Sequence, residues 1–180
     1  GQNGWINAGG HVNGGSMIGV SPALNVDVTP ILFSTLVSGT QGTTGAEYKL
    51  TVLDNDMTIA LNGTVIRQSD TLRIPYAIAG ANSANATQVS ILALDKEYVA
   101  GNTNGASVLA YGKMNVDNFS TTGTGTYELP DALSEQVLGT DYYLYIVAED
   151  VNSGNLSDYA TAPIEITSVT NVIGEVEILI

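Results

Sequence analysis

Few side chains in this sequence are equipped for chemistry, and their spacing decides what that chemistry could be. His11 is the single histidine, set between Gly10 and Val12 in a turn-rich stretch. No nucleophile or orienting acid is signalled beside it, so a structural or solvated role suits it better than general-base work. Carboxylates are more plentiful. Asp54 and Asp56 in LDND, and Asp95 and Glu97 in LDKE, could flank a glycosidic bond if they stood about 5 to 9 Å apart. Each pair falls at a strand end, however, where acids ordinarily face water. Hard oxygen ligands favour calcium over a transition metal. Asp150, Asn152 and Asn155 in DVNSGN space oxygens like part of a calcium loop, but the later bidentate glutamate is missing and the run also reads as an ordinary hairpin turn. The run SGTQGTTG at 38–45 lacks the Gly-Lys-Ser/Thr ending of a phosphate loop. The chain is therefore read as a non-enzyme, with no catalytic residue, no cofactor and no metal site expected.

Composition narrows the partners. Eighteen acidic residues against five basic ones give a formal charge of −13, which repels phosphate backbones and anionic lipid. Nucleic acid is excluded as an expected partner. No run of about 18 apolar residues is available to span a bilayer, so membrane insertion of this segment is not expected either. There is no cysteine, hence neither a disulfide framework nor a thiolate metal site. Only 13% of residues are charged, while Gly, Thr, Ser and Asn abound, a balance suited to an exported, turn-rich β protein. The start GQNGW has no signal-peptide pattern and reads as the start of a mature or excised segment.

The elements that must position any site are strands. Period-2 segments at Tyr48–Leu53, Thr71–Ala79, Thr87–Leu94, Val108–Met114, Thr124–Leu129, Tyr142–Glu149 and Tyr159–Thr167 are separated by Gly, Asn, Asp and Pro. Seven short strands over about 120 residues predict an all-β fold, an immunoglobulin/fibronectin III-like antiparallel β-sandwich. Pro75 and Pro163 fall inside two of these strands and must occupy an edge, a bulge or a non-bonded position. PDALSEQ, Pro130 to Gln136, predicts one helical turn. Residues 1–33 differ in kind, with Gly-Gly and Asn-Gly turns between very short strands, and form an N-terminal β-hairpin-rich extension. The expected organisation is thus 1–33 as that extension, 34–45 as a linker, 46–168 as the sandwich and 169–180 as a C-terminal strand with one apolar face.

The stretch GTDYYLYIVAEDVNSGNLS, Gly139 to Ser157, resembles the F strand and following turn of fibronectin type III domains. That resemblance implies a tyrosine corner at Tyr142 and core-facing positions at Leu144, Ile146 and Ala148. The longer body from Tyr48 to Asp150 is similar to uncharacterised immunoglobulin-like modules in large surface proteins of gut anaerobes. In such proteins a segment similar to VSPALNVDVTPILFS, Val20 to Ser34, often ends the preceding domain. The resemblance implies location: a bacterial cell surface or the extracellular space, beside other domains of the same protein, within reach of host or cell-wall protein or glycan.

In the type III register Tyr143, Tyr145 and Val147 point away from the core, and Leu92 and Leu94 in TQVSILALD do likewise. Two neighbouring strands with apolar outer faces predict that something covers that surface. The candidates are the N-terminal segment with Trp5, Ile6, Val12, Met17, Ile18 and Val20, a partner domain, or a ligand stacking on Tyr143 and Tyr145 over Leu92 and Leu94. The expected function is a spacer or adhesion module, and the alternative is a carbohydrate-binding module using exposed tyrosines.

Overall fold

The alternation that marks β-strands becomes two packed sheets in a computed structural model that describes residues 30–154 and 156–172. In chain order the elements are β1 (Ile31–Ser38), β2 (Glu47–Leu53), β3 (Thr58–Leu61), β4 (Ile66–Gln68), β5 (Thr71–Ala79), β6 (Gln88–Leu94), β7 (Val108–Lys113) and β8 (Thr122–Glu128). There follow α1 (Asp131–Ser134), β9 (Tyr143–Asp150), β10 (Asp158–Ala160), β11 (Ile164–Glu165) and β12 (Thr170–Asn171). One sheet runs β1-β2-β10-β9-β6-β7, with β11 also on β9; the other runs β12-β4-β5-β3, with β8 also on β5.

Each core strand turns every second residue into the main core. Leu72, Ile74, Tyr76 and Ile78 of β5 face Val89, Ile91 and Ala93 of β6 and Leu144, Ile146 and Ala148 of β9 in a single apolar cluster. Each leucine, isoleucine or valine among them contributes up to about 1.5–3 kcal/mol by leaving water. Two glycines of β8 make room within it. A Cβ on Gly123 would stand 2.9 Å from the Tyr76 hydroxyl, and one on Gly125 would stand 2.8 Å from Val116 Cγ2, so the GTGT alternation of β8 is a packing requirement.

Both strand prolines sit where the ladder tolerates them. The Pro75 carbonyl accepts the Asn62 N–H at 3.0 Å, which aims the proline's missing donor at the gap where β3 hands over to β4. On the opposite side β8 pairs with β5 continuously from Thr71 to Ala77. The strand expected over Tyr159–Thr167 is instead two short pieces, because the register with β9 slips by one residue between the Ala160–Glu149 and Ile164–Ile146 pairs. Pro163 lies in that bulge. Thr161 bridges it, donating its N–H to the Ala148 carbonyl at 2.9 Å and accepting the Ala148 N–H on Oγ1 at 3.1 Å.

The boundary expected near Ser34 falls inside β1. Residues 34–38 pair with β2 from Leu50 to Glu47 and are strand, not linker. The remaining 39–45 form the loop of that hairpin, closed by the Thr43 N–H on the Thr40 carbonyl at 3.1 Å. The expected helical turn is present as α1, which carries Asp131 in its first turn and buries Leu133. Of the expected C-terminal strand, β12 is described, parallel to β4. The hairpin-rich extension up to residue 29 and residues 173–180 lie outside the described residues.

Candidate functional site

The register of β6 on β9 sets Leu92 opposite Tyr145 and Leu94 opposite Tyr143, all on the face turned away from the main core. That face is covered. Leu92 is 1% exposed, Leu94 5% and Tyr145 4%, and Tyr143 is half-buried, so these four side chains form a second small core and not an exposed stacking platform. Phe33 from β1 and Tyr98 and Ala106 from the β6–β7 loop pack against them. The Tyr98 ring meets Tyr145 edge-on at 6.1 Å, and the Tyr98 N–H donates to the Tyr145 hydroxyl at 2.8 Å. Burial raises the Tyr145 hydroxyl above its ordinary pKa, partly opposed by that hydrogen bond.

The covering loop is tied by its own polar side chains. Asn102 accepts the Ala106 N–H at 2.7 Å, Asn104 donates to the Glu97 carbonyl at 2.7 Å, and Asp95 accepts the Ser107 N–H at 2.6 Å. Asp95 is thus a loop-closing acid. Asp54 is likewise engaged, accepting the Asp56 N–H and an Asn82 amide proton at 2.8 Å each, in a separate turn. Between β1 and the covering loop lies an apolar groove of about 390 Å³, floored by Leu92 and Leu94 and flanked by Phe33, Tyr98 and Val108. The N-terminal side chains expected as a lid lie outside the described residues.

Beside this apolar patch the same face carries a buried acid. Glu149 is 2% exposed and accepts from Gln88 Nε2 at 2.8 Å, from Ser90 Oγ and from the Tyr111 hydroxyl. Tyr111 is 47% exposed as a residue, but its hydroxyl end meets that buried carboxyl group, and Phe33 stacks obliquely on its ring at 5.5 Å. Burial first, then the Glu149 charge, push the Tyr111 hydroxyl far above the usual tyrosine range. Across the sheet Lys49 bonds the Asp158 carboxylate at 2.8 Å and the Asn152 carbonyl at 2.6 Å.

That lysine changes the reading of the calcium candidates. The Asn152 carbonyl already accepts the ammonium, and its side-chain amide donates to the Ser157 carbonyl at 2.9 Å. Asp150 stands at the end of β9 on a shallow acidic rim with Asp54 and Asp56. Asn155 lies outside the described residues. No group of three or more His, Cys, Asp or Glu side chains able to hold a metal forms among the described residues.

Tyr142 is in the main core, 3% exposed, on the same side as Leu144, Ile146 and Ala148. The tyrosine-corner hydrogen bond is not made: its hydroxyl bonds to none of the described residues and lies instead in the field of the Arg67 guanidinium. The chain enters β9 through a tight turn in which the Gly139 N–H donates to the Tyr142 carbonyl at 2.8 Å. Sequence reasoning missed Phe33, Tyr98, Tyr111 and Glu149. Glu149 was detectable, since it shares the period-2 face of Tyr143, Tyr145 and Val147, which the sequence already marks as covered. No protein-family model, curated protein or solved structure matches this chain.

Proposed function

We propose that the chain is a non-enzymatic, immunoglobulin-like module of an extracellular or cell-surface bacterial protein, serving as a spacer or interaction domain beside other domains of that protein. The observation that carries this reading is the closure of both faces of β6 and β9 by the chain's own residues: the aromatic side chains serve internal packing. Strand adjacency supports the immunoglobulin-like part, with β3-β5-β8 in one sheet, β7-β6-β9-β10 in the other, and β2 running parallel beside β10. The acidic, cysteine-free, lightly charged composition suits an exported protein. A carbohydrate module built on Tyr143 and Tyr145 loses its support, because Tyr145 and both leucines beneath it are buried. Antibodies against the chain should label intact, unpermeabilised cells that produce it. Labelling only after permeabilisation would refute the surface location.

A further inference from the structure

A second cleft, of about 370 Å³, opens at one end of the sandwich between the sheets. Its walls are β4, the turn leading into β9 and the segment between β11 and β12. Two hydrogen-bond donors border it. The Arg67 guanidinium is clamped by its own chain, Nε on the Ser69 carbonyl at 2.7 Å and Nη2 on Asp70 Oδ1 at 3.0 Å and the Ser134 carbonyl at 2.7 Å. Nη1 has no partner among the described residues. Beside it stands the Tyr142 hydroxyl, on a residue 3% exposed, with no hydrogen-bond partner among the described residues. The ring is buried, but no buried side-chain oxygen lacks a partner among the described residues, so the Tyr142 hydroxyl opens onto the cleft and takes its partner from that space. Gln136 and Asn171 supply amides at the rim, and Leu138 and Val169 supply apolar surface.

Donors fixed in place call for an acceptor, and local charge selects which kind. Asp70 neutralises Arg67, Glu135 and Asp141 lie on the same turn-rich segment as the rim, and the whole chain carries −13. An anion is disfavoured by this field. A neutral polyol is not: its hydroxyls accept from Arg67 and Tyr142, exchange bonds with the amides and lay a C–H face on Leu138 and Val169. We propose that this cleft binds one neutral pyranose sugar unit, with Arg67 and Tyr142 as the donors that orient it. The site shares no residue with the covered face of β6 and β9, and it stands or falls independently of the surface location proposed above.

The test is an amide NMR titration of the whole chain with glucose, galactose, mannose and N-acetylglucosamine, each to about 50 mM, with sodium acetate as the anionic control. At least one sugar should give saturable shifts confined to 136–142 and 167–171, with a Kd of about 1–10 mM. Tyr142→Phe, which removes only the hydroxyl, should weaken that binding about fivefold, the loss of one hydrogen bond. Asn171→Ala on the exposed rim should weaken it about twofold. Four sugars without saturable shifts would overturn the proposal. So would shifts mapping to 31–34 and 98–106, acetate binding more tightly than every sugar, or unchanged affinity in the Tyr142→Phe chain.

Discussion

Replacing Glu149 by alanine should be among the costliest single changes in this protein, and the cost can be built from the groups left behind. Glu149 takes hydrogen bonds from Gln88, Ser90 and Tyr111. Ser90 is fully buried, so its orphaned hydroxyl bears a penalty of about 1–3 kcal/mol. Tyr111 and Gln88 are partly exposed and recover some of their loss from water. The one lost methylene adds about 0.8 kcal/mol. The sum is about 3 kcal/mol, a fall of roughly 6–12 °C in Tm for a chain of this length. Glu149→Gln keeps the shape and lets the amide accept from Gln88 and Ser90 while donating to Tyr111, so about 1 kcal/mol is expected. Denaturant melts with an unchanged m value would measure both. A double-mutant cycle isolates the mechanism: Ser90→Ala should cost about 1 kcal/mol in the native background and close to nothing once Glu149 is alanine. Equal costs of Ser90→Ala in the two backgrounds, or a Glu149→Ala loss below about 1 kcal/mol, would refute the network as a source of stability.

Three further outcomes follow from geometry. Tyr145→Phe should cost about 1 kcal/mol in a urea melt because the Tyr98 N–H loses its acceptor, whereas Tyr142→Phe should cost under about 0.5 kcal/mol. Gly80→Ala should destabilise by more than about 2 kcal/mol, since Gly80 has φ +103° and a Cβ there would press into the Asp56 carbonyl, while Gly105→Ala, at φ +64° with open space around it, should cost about 1 kcal/mol by the same assay. Tyr111 has a folded pKa raised above the unfolded value of about 10, so the stability it contributes is complete below pH about 10 and is lost as pH rises towards the folded value. Tyr111→Phe should therefore lose less stability than the native chain between pH 9 and pH 11, at about one unit either side of that unfolded value.

What the sequence could reveal was set by how many residues each feature spans. Strands of six or more residues repeat their alternation often enough to be read, as in TLRIPYAIA and QVSILAL, and the sequence places both faces of β6 and β9 correctly. β3 with four residues and β4 with three are shorter than the pattern needed to detect them. β1 was split by the boundary at Ser34 because its apolar residues, Ile31, Leu32, Phe33, Leu36 and Val37, do not alternate. The need for a cover over Tyr145 and Leu92 follows from local sequence. Its identity does not, since Phe33 lies 59 positions before Leu92 and nothing local couples them. Tyr142 shows the same limit from the other side: the resemblance to type III domains implies its face, which the structure bears out, but also a corner hydrogen bond that none of the described residues makes.

The contact of Phe33 with Tyr111 joins the first and last strands of a six-strand path that would span about 24 Å if it lay flat. The sheet is rolled, and its two margins face each other across the apolar groove. An open margin is where a foreign strand can start to grow, and fibres propagate by repeating that step. Here Phe33 and Tyr111 bring the two margins to the distance of an aromatic pair at one point along their length. Proline at position 30 and lysine at position 113 close off the ends of those same two strands. Wherever copies of this chain stand close together, the roll limits strand addition along this sheet.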